Sequence, residues 1–422
     1  MNYFCALLCF LVITAVKAQD NSRTLLSGQP VLSQMTGNCY THSGTDVLTG
    51  IFLRENRQES VDQPHPLILG GIVSANVGRS NISSGLTCDF FNAAKDVREP
   101  TCSVRGFNQF VSHSGMSVQS VKDNINLLDR SMQNLHNLIK KDTLTLTEQR
   151  QAREHANNII GATCTLNGLV DLNDDTILKL VDEAREVISK LSAVRGPNVG
   201  TTILNMLTLG PAAILLRSTG GSVLYSMSGR RAMNRVLDNT YSKLNSECVK
   251  YSAMKNIPSV GKNFFTASNR FTCHNQIYKN PRLTGNALKE KLDFIDRQVR
   301  AGYPTGIFVC AGIFYAKYPK LSSYRKPDGD CINGGGHAVT VTGIEFRNGK
   351  RFFKVRNSWG AGSCSTLIRG QNICREQAAI NNQTGCPGAS SITCSGGNYY
   401  ISEDYLGKGL WGHTRLTVPR RR

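Results

Sequence analysis

No two of the 14 cysteines are spaced as Cys-x-x-Cys, and no His-x-x-x-His lies near any of them. Short ligand spacings of that kind mark structural zinc sites, so their absence argues against a metal, and nothing in the chain calls for another cofactor. Long apolar runs are missing too. Phe4–Val16 is too short to span a bilayer, and Ile203–Leu216 is both short and interrupted by Asn205, Gly210 and Pro211, so no transmembrane anchor is expected. Acidic residues are few: 30 Asp and Glu stand against 49 Lys and Arg, a formal net charge of +19. That balance favours acidic surfaces or polymers as partners, or serves solubility alone. No nucleic-acid-binding motif accompanies it, so nucleic acid is not expected. Internal repeats and low-complexity segments are also absent.

Residues 1–18 read as a signal peptide. The apolar run ends at Val16-Lys17-Ala18, a suitable cleavage site, although Met1-Asn2-Tyr3 lacks a basic residue. The mature chain then begins near Gln19 and is secreted or periplasmic. Cys5 and Cys9 leave with the signal. Cys88, Cys102, Cys164, Cys248, Cys273, Cys310, Cys331, Cys364, Cys374, Cys386 and Cys394 remain besides Cys39, several at spacings that suit disulfides in an oxidising compartment. Spacing does not fix connectivity, and the odd count means that at least one thiol stays free or pairs between chains. A Cys88–Cys102 bridge would close a loop of about 15 residues and contribute roughly 3 kcal/mol.

From Gln34 to about Val104 the pattern is helical. Asn38 is a good N-cap, and Tyr40, Gly44, Val47, Leu48 and Ile51 share one helical face. Cys39 thus opens a helix, where free N–H groups and the macrodipole favour a thiolate. Val118, Val121, Ile125, Leu128, Met132, Leu135 and Ile139 form an apolar stripe, and a second amphipathic run covers 177–191; the two suggest an antiparallel hairpin. From about Asn263 strands take over. A helix over 286–301 stops at Gly302 and feeds a buried strand at 305–309, and further strands are expected at 338–346, 351–356 and 398–402. Asn348-Gly349 joins two of these as a hairpin.

That hairpin bears on chemistry. His337 precedes its first strand and Asn357 follows its second, so antiparallel pairing brings them together across 20 residues. Cysteine, histidine and asparagine in this order supply a nucleophile, a base and a group that orients the base. Trp359 can cover the His–Asn bond, and Gly334-Gly335-Gly336 allows close backbone approach.

The segments "GNCYTHSGTDVL", "GGGHAVTVTGIEFRNGKRFFKVRNSWG", "GGNYYISEDYL" and "AGYPTGIFVCAGIF" resemble papain-like cysteine peptidases. The resemblance covers Gln34 to about Arg105 and about Phe271 to Leu416 and leaves the middle third unmatched. It implies an α+β, two-lobed fold: a helical left lobe over 19–110, a β-barrel-like right lobe over 263–422, and a largely helical insertion over 111–262. It also implies Cys39 as nucleophile, His337 as base and acid, and Asn357 as orienter. The oxyanion would be held by the Cys39 N–H and Gln34. Substrate backbone would meet Gly85 and Gly336, and Trp359 would support the pair. Protein or peptide would be the substrate.

The chain departs from the family pattern at four points. Gln34 lies five residues before Cys39 where the family has six, leaving Ser33 at the sixth position. Tyr40 stands for the usual tryptophan. Gly70-Gly71 competes with Ser84-Gly85 for the substrate-clasping glycines, Gly85 being preferred because "CDFFNAAKD" follows it. Only Gln19–Ser33 precedes the catalytic segment, too little for a folded inhibitory pro-region. His42 reads as a core histidine and Glu403-Asp404 as a solvated turn. The other readings of the chain are an acyl transferase using the same triad, and an inert papain-fold binding or adhesion protein.

Overall fold

The computed structural model describes residues 25–34, 37–79, 82–83, 85–139, 145–167, 221–279, 284–317, 323–332, 334–380 and 385–417. The signal-like run, the 177–191 run and Ile203–Leu216 lie outside them. Helices and an antiparallel sheet divide between two units, and neither unit is one continuous stretch. One unit holds Ser33–Phe52, Val61–Asn275 and the last residues from Leu416; the other holds the residues up to Leu32, Leu53–Ser60 and Gln276–Arg415.

The first unit is helical: α1 (Cys39–Glu55), α2 (Pro66–Asn76), α3 (Thr87–Ala94), α4 (Val104–His113), α5 (Val118–Ile139), α6 (Leu146–Asn167), α7 (Gly221–Met254) and α8 (Lys262–Thr266). The expected face of α1 is inside, with Tyr40, Val47, Leu48 and Ile51 all buried. The α5 stripe is buried as well, and Val121, Ile125, Leu128, Met132 and Leu135 share a core with Ile68 of α2, Phe107 of α4 and Leu237 and Leu244 of α7. Helices from the middle third are therefore built into the same core as α2 and α4. Among the described residues the helix packed along α5 is α6, and the expected 177–191 partner lies outside them. The start of α6 carries a capping box: Thr145 Oγ1 accepts from Glu148 N at 3.3 Å, and Glu148 Oε2 accepts from Thr145 N at 2.7 Å.

Asn38 does not cap α1 with its side chain, whose oxygen and nitrogen are buried without a hydrogen-bond partner among the described residues. Its carbonyl serves instead, accepting from Thr41 N at 3.0 Å and Thr41 Oγ1 at 2.8 Å.

The division between the units falls within β1 (Thr272–Ile277), and the second unit continues with β2 (Thr305–Cys310), β3 (Gly336–Arg347), β4 (Lys350–Arg356), β5 (Ile392–Ser395), β6 (Asn398–Ser402) and β7 (Leu410–Thr417). Their order is β1-β7-β2-β3-β4-β6-β5. The pairings β7–β2, β2–β3, β3–β4, β4–β6 and β6–β5 are antiparallel. Between β3 and β4, Asn348 and Gly349 take φ of 50° and 76°, the left-handed pair a two-residue hairpin needs. Helix α9 (Gly285–Arg300) lays Leu292, Ile295 and Val299 into the sheet core and stops where Gly302 turns to φ 88°. Helix α10 (Ser363–Ile380) and a short α11 (Glu403–Gly407) complete the unit. Glu403 and Asp404 are solvent-accessible as expected, but in a helix rather than a turn. Glu403 opens α11, and its carboxylate accepts from Arg351 Nε at 2.9 Å, while Arg351 Nη1 reaches Asp293 at 2.7 Å and Asp296 at 3.2 Å.

Five disulfides are present among the described residues. Cys88 pairs with Cys273 and Cys102 with Cys248, so the local Cys88–Cys102 bridge is not formed. The reason is spatial: Cys88 lies on α3, whose neighbour is the chain entering β1, whereas Cys102 backs onto α7. The other bridges are Cys310–Cys331, Cys364–Cys394 and Cys374–Cys386. This set fits an oxidising compartment. No described helix is long and apolar enough to cross a membrane.

Candidate active site

His337 is the second residue of β3, opposite Val309 of β2, which is buried. Thr340 faces Arg356 across the β3–β4 hairpin. Continuing that register sets Asn357 opposite Val339, on the side of the sheet that His337 occupies and two residues away from it. Diagonal neighbours of this kind are within side-chain reach. The contact is made: His337 Nε2 lies 2.9 Å from Asn357 Oδ1. An amide oxygen only accepts, so Nε2 carries the proton and Nδ1 keeps its lone pair. Asn357 thereby selects the tautomer, which is what an orienting residue must do.

Aromatic rings enclose the pair. Trp359 stacks on the His337 imidazole, with centroids 4.9 Å apart and planes 21° from parallel. Phe314, in the 3₁₀ turn after β2, meets His337 edge-on at 5.7 Å and Trp359 at 5.5 Å. Tyr399 of β6 backs Phe314 at 4.9 Å and donates its hydroxyl hydrogen to Ser363 O at 2.8 Å. Burial pushes the His337 pKa down to about 4, and the Asn357 hydrogen bond acts in the opposite sense. At neutral pH the imidazole is therefore neutral and able to accept a proton at Nδ1.

The backbone around this pair is tightly set. Asn357 N donates to Gly397 O at 3.2 Å, and Gly397 N donates to Cys364 Sγ at 3.4 Å, tying the segment to the Cys364–Cys394 bridge. Gly336 is exposed, and a Cβ there would come within 3.0 Å of Trp411 Cζ2. The glycine run before His337 thus permits a real close approach.

Cys39, Gln34 and Gly85 belong to the helical unit. Cys39 is the first residue of α1, is half-buried, and takes part in none of the five bridges. The next residue, Tyr40, is buried. Its hydroxyl lies 3.3 Å from Ser74 Oγ, Arg79 Nη1 donates to it at 3.2 Å, and Phe90 meets its ring edge-on at 6.2 Å. Gly85 packs against that same ring, where a Cβ would fall 2.8 Å from Tyr40 Cε2. Gly70 and Gly71 are buried inside α2 under Thr41 and the Tyr241 ring, which makes them packing residues. Gln34 is half-buried. His42 is buried at 8% exposure.

His337, Asn357 and Trp359 are thus gathered in one unit, while Cys39, Gln34 and Gly85 lie in the other. Sequence reading missed Phe314, Tyr399 and Gly397, which support the pair from behind. They lie within two of the family-like segments, but nothing local gives them a role, because they reach His337 and Asn357 only through the fold. Among the described residues no cluster of three or more His, Cys, Asp or Glu is placed to hold a metal ion. No protein-family model matches this sequence, and no curated protein matches it.

Proposed function

We propose that this chain is a papain-like cysteine peptidase that cleaves peptide bonds through an acyl-enzyme. The observation that carries the reading is the His337–Asn357 bond at 2.9 Å beneath the stacked Trp359. A histidine held by an asparagine under an aromatic cover supports the roles of base and orienter in this chemistry. Cys39 at the start of α1 supports it from the other unit, since a helix N-terminus stabilises a thiolate. Gly85, half-exposed against Tyr40, suits a clasp for substrate backbone better than the buried Gly70 and Gly71 do.

In this mechanism His337 Nδ1 takes the Cys39 thiol proton as the sulfur adds to the scissile carbonyl carbon, and the oxyanion receives hydrogen bonds from the Cys39 N–H and the Gln34 amide. His337 gives a proton from Nδ1 to the leaving amine as the C–N bond breaks. Water then attacks the thioester, His337 takes a proton from it, and the acid product leaves with the thiol restored. Desolvation makes an isolated imidazolium at position 337 unfavourable, so protonation of His337 is expected to need the thiolate charge beside it.

The test is labelling with a peptidyl epoxide or vinyl sulfone, followed by peptide mapping, alongside turnover of a fluorogenic peptide library. Modification at Cys39 that is lost in His337→Ala supports the reading. Peptide hydrolysis that persists in Cys39→Ala refutes it.

A further inference from the structure

Asp129 interrupts the apolar stripe of α5, following Leu128, and is buried to 1% exposure. A carboxylate that deep is unfavourable unless donors meet it. Both of its oxygens reach outside the helix: Oδ1 accepts from Ile82 N at 2.6 Å, and Oδ2 accepts from the Ser83 hydroxyl. Ser83 packs in turn on Gly37, two residues ahead of Cys39, where a Cβ would lie 3.5 Å from Ser83 Cβ. A second tie comes from α7. Asn234 Nδ2 donates to Arg79 O at 2.7 Å and to Ala75 O at 3.0 Å. Arg79 lies over the Tyr40 ring at 5.4 Å, and a Cβ on Gly85 would meet both Arg79 and Tyr40.

The backbone leading into Gly85 is thus held by two helices from the part of the chain that no peptidase motif covers, and through Ser83 it meets Gly37 ahead of Cys39. We infer that Asp129 is a positioning residue, anchoring Ile82 and Ser83 so that Gly85 and the Gly37–Cys39 backbone are preset for an extended substrate. The inference rests on the peptidase reading. It assigns the middle third a role in substrate binding. Removing the anchor should weaken binding of the peptide backbone before it impairs the thiolate itself. Binding is then the step that suffers, because it relies on preset main-chain geometry.

Two measurements on the full chain test this. Hydrogen–deuterium exchange, run in a Cys39→Ala background so that activity is irrelevant, should show the Ile82 amide exchanging at least tenfold faster in Asp129→Ala. Steady-state kinetics in the Cys39 protein should show KM for a peptide substrate raised about tenfold, with kcat and iodoacetamide labelling of Cys39 changed less than threefold. Asp129→Asn, which keeps an oxygen for Ile82 N, should recover most of the KM. Ser83→Ala serves if Asp129→Ala does not fold, and should raise KM in the same sense. Unchanged exchange, or unchanged KM in a folded variant of a wild-type enzyme that turns over, overturns the inference. Absence of turnover in the wild type instead overturns the peptidase reading.

Discussion

Asn357 is held from behind by Gly397, whose carbonyl accepts the Asn357 N–H while its own N–H points to Cys364 Sγ. The orientation of His337 is therefore coupled to a disulfide that touches neither His337 nor Asn357 directly. Replacing both Cys364 and Cys394 by serine is expected to lower kcat by roughly tenfold to 100-fold through misplacement of the base. The same double change at Cys374 and Cys386, at the far end of α10, should leave kcat within about threefold. Equal losses in the two variants would show that the coupling is only general stability.

Asn357→Ala should leave Cys39 present but the imidazole free to rotate and to exchange tautomers. A loss of about 10² in kcat is expected, within the range that general acid–base groups supply. His337→Ala should lose more, and the double variant little beyond His337→Ala, because members of one catalytic unit do not act additively. Additive losses would mean that Asn357 does not work through His337.

Acid should destabilise the protein in a definite window. His337 and His413 are buried with pKa values pushed down to about 4 from the ordinary 6.5, in each case chiefly by burial; Lys291 and Arg415 add to the effect at His413. His65 is lowered too, by burial first and then by Lys122 and His42. The unfolded chain binds these protons near pH 6.5 and the folded chain does not. Stability is thus fully present above about pH 6.5 and falls as the pH drops towards 4, by up to about 3 kcal/mol for His337 or His413. Urea midpoints at pH 7.5, 5.5 and 4.5 check this, and His413→Gln should flatten the profile. Imidazole resonances titrating near 6.5 in the folded protein would contradict it.

The hairpin and its consequence could be read in advance because they depend on local chemistry. Asn348-Gly349 sets the turn, and the register of the strands on either side then sets the distance from His337 to Asn357. The faces of α1 and α5 were equally legible, being long and periodic. Helix α6 was not, since Arg, Gln, His and Asn crowd its faces; the Thr145–Glu148 capping box was the available signal. Helix α10 hides differently, with Ile368 58% and Ile380 82% exposed, so its apolar residues do not report its buried side. Disulfide partners 146 and 185 residues apart leave no trace in spacing. Asp129 was missed because a polar residue within an apolar stripe reads as noise until its partners at 82 and 83 are known.

Disulfide mapping is a direct check on those long-range contacts. Digestion without reduction should yield cross-linked peptides joining Cys88 to Cys273 and Cys102 to Cys248, with none joining Cys88 to Cys102. The Cys102–Cys248 bridge closes the larger part of the helical unit, and its removal should destabilise by roughly 4–5 kcal/mol in the chain-entropy estimate. A Cys88–Cys102 cross-link would refute the assigned pairing.

Arg356 gives the protein's synthesis an unusual timetable. Its guanidinium donates to Gln29 O at 3.0 Å and Pro30 O at 2.7 Å, and Leu25 N donates to Thr342 O at 2.8 Å. The earliest described stretch therefore completes itself against residues translated 326 and 327 positions later. At about 5–20 residues per second it waits on the order of 20–60 s before its partners leave the ribosome. The described helices of the other unit, by contrast, can begin to pack as they emerge. The order in which the units mature is thus written into the chain: helices first, and last of all the sheet that carries His337 and Asn357.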